Sequence, residues 1–233
     1  MKRIPFENRM TRTERIFGWI YLPLHMVVLP LLLGLFRLTN PEQVSQITVN
    51  LIYFGTGTVF VVCAMFRFLR GNFDVLLDRP GRCLLSLLLA ALALYGLNFL
   101  AGLIVLLFGD MGENPNNAAV LELAGTDYGA VRALAVFLAP VVEEPLFRGV
   151  AFGGIRTRSR VWAYVVSALL FGLYHTWQYA LAYADPLLLA QIVLYIPFSV
   201  ASAWCYERGG SIWTCIFFHM GYNALAFYLL ELV

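Results

Sequence analysis

Ala139-Pro140-Val141-Val142-Glu143-Glu144-Pro145-Leu146-Phe147-Arg148-Gly149 places two adjacent carboxylates and a guanidinium inside a segment, Gly129 to Ile155, otherwise apolar enough to cross a bilayer. Ionisable groups near the centre of a spanning helix are unfavourable by roughly 2.5–3.5 kcal/mol each on insertion scales. Three in one segment call for a compensating arrangement. On a helix Glu144 and Arg148 are four apart, so they share a face and can pair. Glu143 lies about 100° round from Glu144 and need not share that partner, which separates the titrations of the two carboxyls. Pro145 supplies no N–H to the carbonyl of Val141 and kinks the helix there. Backbone freed at membrane depth is tolerated only against protein or a water-filled cavity. Both features direct Glu143 toward a wet pocket. The plainer reading is an Arg-Glu cluster near a helix end, its side chains snorkelling to the interface.

The rest of the chain supports a membrane setting. Hydrophobic residues make up 61% and charged residues 13%, and the mean hydropathy is +0.75, outside the range of soluble globular domains. The expected class is all-α: a polytopic membrane helix bundle of about seven transmembrane helices around a polar cavity. A net charge of +2, with basic residues clustered between apolar runs, gives no footprint for nucleic acid. Cys63, Cys83, Cys205 and Cys215 fall in or beside apolar runs without CxxC or CxxxC spacing, so neither a disulfide framework nor a metal knuckle is expected. The N-terminal apolar run is longer than a signal h-region and lacks a small-residue cleavage site after Leu35, which makes it a retained first span.

Residues Met1 to Arg15, with Lys2, Arg3, Arg9, Arg12 and Arg15 around Phe6 and Met10, are expected to form a basic interfacial arm on the cytoplasmic face. Spans follow at about Ile16–Phe36, Thr48–Phe68 and Cys83–Phe108. The first holds Pro23, Pro30 and a lone His25, expected to be hydrogen-bonded filler. The third holds Asn98, expected to bond between helices. Leu69 to Arg82, richly basic with interspersed apolar residues, is expected on the membrane surface. Gly109 to Tyr128 carries Asp110, Glu113, Glu122 and Asp127 and no basic residue, so the positive-inside rule makes it an external loop. The fourth span contains the Glu-Glu segment and ends at Arg156, Arg158 and Arg160; the others are about Val161–Tyr183, Pro186–Tyr206 and Ser211–Leu232. Loop charge then alternates with the N-terminus inside and the C-terminus outside, and Trp19, Trp162, Trp204 and Trp213 fall at inner boundaries. The organisation is an arm over residues 1–15, accessory helices over 16–128 and a catalytic core over 129–233.

Two further spans carry polar side chains: Phe171-Gly172-Leu173-Tyr174-His175 and His219-Met220-Gly221-Tyr222-Asn223. His219 and Asn223, four apart, project from one helical face. At 1.5 Å per residue, Glu143 and His219 lie about 12–13 Å from the inner boundary and Asn223 and His175 about 18–21 Å, close enough to meet. These residue types suit hydrolysis. A carboxylate can take a proton from water while an imidazole orients that water, and an imidazole with an amide can donate to an oxyanion forming on a carbonyl.

Glu-Glu-x-x-x-Arg, Phe-x-x-x-His and His-x-x-x-Asn, in this order on spans four, five and seven, resemble the CPBP or Abi group, the type II CAAX prenyl endopeptidases and their prokaryotic relatives. The resemblance covers roughly Val131 to Tyr228 and fills all six motif positions. It implies an intramembrane glutamic protease whose helices enclose a water-filled cavity open to the cytoplasmic side. Glu143 and His175 would activate water, His219 and Asn223 would form the oxyanion hole, and Glu144 and Arg148 would position that machinery. It implies no cofactor and no metal, a membrane-associated peptide or protein substrate, lipidated or not, and a multi-pass location in a prokaryotic cell membrane. The first three spans carry no motif that the resemblance transfers.

Three other functions compete. A zinc metalloprotease would use Glu143, His175 and His219 as ligands, but no His-Glu-x-x-His pair exists. A non-catalytic membrane protein could use the buried groups to bind a partner or confer bacteriocin-type immunity. A proton-coupled transporter uses similar intramembrane groups, but the inverted halves expected of one are not found.

Overall fold

A computed structural model describes residues 6–108 and 112–230. Lys2 and Arg3 of the expected arm, Asp110 of the expected outer loop and Leu232 of the last expected span lie outside the described residues. Nine helices account for nearly all of what is described, and no strand occurs among the described residues. They are α1 (Arg12–Thr39), α2 (Gln46–Ala64), α3 (Phe66–Asp78), α4 (Pro80–Phe108), α5 (Pro115–Thr126), α6 (residues 128–156), α7 (Arg160–Ala182), α8 (Pro186–Gly209) and α9 (Ile212–Leu230).

Side-chain caps set most of the boundaries, because the first N–H groups of a helix have no partner within it. Thr11 and Glu14 form a reciprocal capping box at the start of α1. Ser45, Asn114, Asp127, Ser159 and Asp185 each accept from a backbone N–H in the first turns of α2, α5, α6, α7 and α8. At the end of α8 the chain turns at Gly210, whose φ of +80° is strained for any residue with a Cβ.

The bundle is a helical membrane protein with its polarity inverted relative to a soluble domain. Its outer surface displays Leu31, Leu32, Leu35, Leu88, Leu92, Leu106, Leu107 and Val161, whereas Glu143, Glu144, Arg148, His219, Ser199 and Ser202 are buried. Five helices, α1, α2, α4, α8 and α9, are long and apolar enough to cross a bilayer. The expected seven crossings would add α6 and α7, which fall short of the same combination of length and apolarity. Residues 142–153 of α6 are buried without a break, and α1, α2, α7, α8 and α9 all pack against this helix. The helix that carries the buried Glu-Glu-Arg cluster is therefore the central one.

Several expectations need correction. The outer loop contains α5, because Asn114 and Pro115 open a helix whose Val120 and Leu123 pack with Val131, Val136 and Phe227. The second span stops at Ala64, and the surface segment begins earlier as α3, with Phe68, Leu69 and Asn72 buried. The arm is in part inward: Met10 is buried and Phe6 packs edge-on against Phe152 and Tyr206. Asn98 is exposed and makes no side-chain hydrogen bond to another helix among the described residues, since its position on α4 faces outward. His25 is fully buried but stacked on Tyr53, and neither ring nitrogen has a hydrogen-bond partner among the described residues. All four cysteines are free.

Two polar clasps hold one end of the bundle. The buried Glu14 carboxylate accepts from the Phe68 N–H at 2.7 Å, which ties the start of α1 to the positive end of α3. Asn72 then accepts from the Ile212 N–H at 2.9 Å, and its carbonyl accepts from Ser211 at 2.6 Å, fixing the start of α9. Beside them Glu207 gathers Arg156, Arg160 and Tyr164 at 2.6, 2.9 and 2.8 Å and so joins the facing ends of α6, α7 and α8. Asn72→Ala should lower the unfolding free energy by about 1–3 kcal/mol, because a buried donor loses its acceptor. Asn98→Ala should change it by less than about 0.5 kcal/mol. Thermal unfolding of both variants in one detergent checks the contrast.

Candidate active site

Two prolines prepare the backbone of α6. The Ala139 N–H bonds to Leu134 O, five residues back, so that Leu134–Leu138 forms a π-helical turn. The next bond in that pattern would join residue 140 to Ala135, but Pro140 has no N–H. Ala135 O is left without a donor in its own helix, and Asn223 of α9 supplies one through Nδ2 at 2.8 Å. The same device occurs in α1. Leu29 N–H bonds to Leu24 O, Pro30 cannot serve His25 O, and Tyr53 of α2 donates to that carbonyl at 2.8 Å. A second π-helical stretch, Pro145–Phe152, follows Glu144 directly, with every residue buried and Ser167 of α7 donating to Phe147 O at 3.0 Å. π-helical turns often mark functional sites.

The charged centre sits between these turns. Glu144 is fully buried and meets three partners: Arg148 Nε at 3.2 Å, Ser202 Oγ at 2.7 Å and His219 Nδ1 at 2.8 Å. The Arg148 guanidinium is also fully buried. Its central carbon lies 4.2 Å from the centroid of Phe171 and 5.6 Å from that of Phe198, where the ring faces favour a cation. Glu143 is 4% exposed, with its Oε2 4.0 Å from His219 Nε2 and the Tyr174 hydroxyl within hydrogen-bonding reach. His219 thus stands between the two carboxylates. A carboxylate at Glu144 accepts only, so Nδ1 carries the hydrogen and Nε2 points toward Glu143.

His175 bonds through Nδ1 to the Phe171 carbonyl at 2.8 Å and stacks on Tyr195, with ring centroids 4.5 Å apart. Because the carbonyl only accepts, Nδ1 again carries the hydrogen, and the neutral ring presents a lone pair at Nε2. Tyr195 in turn donates to Asn114 Oδ1 at 3.1 Å, linking this edge of the site to the cap of α5. His175 and Asn223 are half-buried, so the cluster is not sealed. Among the described residues no three His, Cys, Asp or Glu side chains converge as a metal site.

Glu143, Glu144, Arg148 and His219 therefore form one contact network. His175 joins it through ring contacts around Phe171, which lies 4.6 Å from His175 and 6.1 Å from His219, centroid to centroid. Asn223 stands a turn beyond His219 on α9 and binds the backbone of α6 rather than a carboxylate. One of its two amide hydrogens is engaged there, which leaves the other.

The model of the family described as Type II CAAX prenyl endopeptidase Rce1-like matches residues 128–225. That segment, 98 of the chain's 233 residues, is similar to the Rce1-like family. No curated protein and no solved structure matches the chain. The Rce1-like segment opens at Tyr128, the first helical residue of α6, and ends inside α9 at Leu225. It includes all six motif residues and leaves out α1 to α5. The family is one of peptidases, which supports peptidase activity.

Three side chains at the site carry no motif signal. Ser202 is one of several small residues on α8, Tyr53 lies outside the Rce1-like segment, and Tyr174 adjoins His175 without a role of its own in the motif. The pairing of a proline with a carbonyl five residues earlier is a signal that could have directed a search for Tyr53. Arg148→Met leaves Glu144 a buried carboxylate without its cation and should cost about 3–5 kcal/mol. Ser202→Ala, which removes one neutral donor to a charged acceptor, should cost about 1.5–3 kcal/mol. The expected order, with little folded Arg148→Met protein recovered from detergent extracts, is read by size-exclusion profile and thermal midpoint.

Proposed function

We propose that the protein is a glutamate-type intramembrane endopeptidase acting on a membrane-associated, prenylated peptide. The observation that carries this reading is the placement of one imidazole, His219, between two adjacent buried carboxylates, of which only Glu144 is tied to a cation. Glu143 is then the carboxylate left to act on water.

A water molecule held between Glu143 and the Nε2 lone pair of His175 gives one proton to Glu143 while its oxygen bonds to the scissile carbonyl carbon. The carbonyl oxygen becomes an oxyanion, which accepts hydrogen bonds from the remaining amide N–H of Asn223 and from the Nε2–H of doubly protonated His219. Collapse breaks the C–N bond, and the proton on Glu143 passes to the leaving amine. The products are one carboxylate and one amine, with the water consumed. Glu144 holds His219 in orientation, and Arg148 balances Glu144. In this reading residues 129–233 are the catalytic core, residues 16–128 are accessory helices, and residues 1–15 are an arm at the inner face.

The inner face is assigned by charge. Arg9, Arg79 and Arg82 line a notch with Glu207 at the C-terminal end of α8. At the other end of that helix, Glu113 and Asp185 line a cavity of about 320 Å³. By the positive-inside rule the arginine-rich end is cytoplasmic, so the N-terminus is inside and the C-terminus outside, in a cell membrane.

Detergent-purified wild-type protein should cleave at least one member of a panel of prenylated and unprenylated C-terminal peptides, with products identified by mass. Glu143→Gln should reduce the rate by about 10²–10⁴-fold, the usual contribution of a positioned acid-base group; full activity in that variant ends the proposal. A C-terminal fusion should leave alkaline phosphatase active and green fluorescent protein dark, and the opposite pattern reverses the assigned orientation.

A further inference from the structure

Beside the two carboxylates runs a line of hydroxyls that no sequence motif includes. Tyr53 of α2 is buried, and its Oη stands 2.8 Å from the His25 carbonyl oxygen and 3.2 Å from the Tyr174 Oη. Tyr174 of α7 is also buried and reaches the Glu143 carboxylate. On the far side of Tyr53 lie rings: His25 stacks on it at 4.3 Å and Tyr21 stacks on His25 at 5.6 Å, centroid to centroid. The other charged and titratable groups facing Glu143 are Glu144 and Arg148 from α6 and His219 from α9.

Counting hydrogens gives this line two settings. The His25 carbonyl at one end can only accept, and each phenol has one hydrogen and can accept another. While Glu143 is a carboxylate it too only accepts, so Tyr174 donates to it and Tyr53 shares its hydrogen between the His25 carbonyl and the Tyr174 oxygen. Once Glu143 carries a proton it can donate to Tyr174. Tyr174 then turns its hydrogen to Tyr53, and Tyr53 donates to the carbonyl alone. Every hydrogen has an acceptor in both settings, and no proton leaves the line.

We propose that Tyr174 and Tyr53 are positioning residues for Glu143, a two-phenol chain that reverses its hydrogens as this carboxyl takes up and releases the proton of the attacking water. The chain keeps the carboxyl in one place through both states without supplying a proton of its own. It rests on the reading of Glu143 as the group that activates water. It also makes α2, outside the Rce1-like segment, a contributor to the site through a side chain.

The test is a double-mutant cycle on a farnesylated C-terminal peptide, with kcat and KM measured for wild type, Tyr174→Phe, Tyr53→Phe, the double variant and Glu143→Gln. Tyr174→Phe should lower kcat about tenfold with KM within about twofold, and Tyr53→Phe about threefold. The double variant should be no slower than Tyr174→Phe alone, because the two hydroxyls act through one line. Unchanged kcat in Tyr174→Phe, a KM that rises in step, or losses that multiply in the double variant would overturn the inference. Tyr53→Phe also strips a buried carbonyl of its donor and can fail to fold. Among the described residues the Tyr174 hydroxyl serves no backbone group, so Tyr174→Phe decides the matter alone in that event. Inactive Glu143→Gln beside fully active Tyr174→Phe removes this inference and leaves the proposed function standing, whereas active Glu143→Gln removes both.

Discussion

A carboxylate withdrawn from water has to be met by donors or by an opposite charge, and at Glu144 these come from three helices. Arg148 lies four residues on in α6, Ser202 reaches across from α8 and His219 from α9. Removing both charges in favour of apolar residues would ease burial in general terms, since a buried ion pair seldom stabilises more than well-packed hydrocarbon. What the pair provides is direction: it sets which edge of His219 faces Glu144 and which faces Glu143. The lipid-facing helices can vary in side-chain shape with little consequence, but the helices touching Glu144 have to keep both distance and register.

The accessory helices are bound to this centre by backbone as well as by packing. Two π-helical turns, each followed by a proline, leave one carbonyl in α1 and one in α6 without a donor, and α2 and α9 supply Tyr53 and Asn223 to meet them. In a bilayer such a carbonyl has no water to fall back on. These bonds fix the approach of neighbouring helices at the level of the site, where a shift of an ångström would matter. At one end of the bundle, Glu14 and Asn72 do comparable work between α1, α3 and α9.

Much of this was legible in the sequence, for an identifiable reason. Ionisable and amide side chains inside apolar runs are rare enough to stand out, so Glu143, Glu144, Arg148, His175, His219 and Asn223 could be singled out from composition and spacing, and the helical membrane architecture followed from the apolar runs themselves. Ser202 and Tyr53 could not be read in this way, because a serine or a tyrosine in a spanning segment is unremarkable until its partner is known. The helix α5 was missed because its apolar run, Ala118 to Leu121 with Leu123 and Ala124, is short and sits in an acidic stretch, and its packing on Val131 and Phe227 shows which face is buried. Asn98 and His25 fail in opposite directions. The amide expected to bond between helices faces outward, and the imidazole expected to find a hydrogen bond is held by stacked rings. Burial depends on which way a residue faces, and a nearly uniform apolar run such as α4 gives no periodicity from which to read it.

The partnership of Pro140 with Asn223 binds two sites of variation together. An alanine in place of the proline would restore a main-chain donor opposite Ala135 O, and the amide of Asn223 would then be released to turn elsewhere. A substitution in the scaffold would thus change the duties of a side chain on another helix without touching it. Swapping such positions one at a time between related chains would transplant half of a paired device, so they have to be exchanged as a unit.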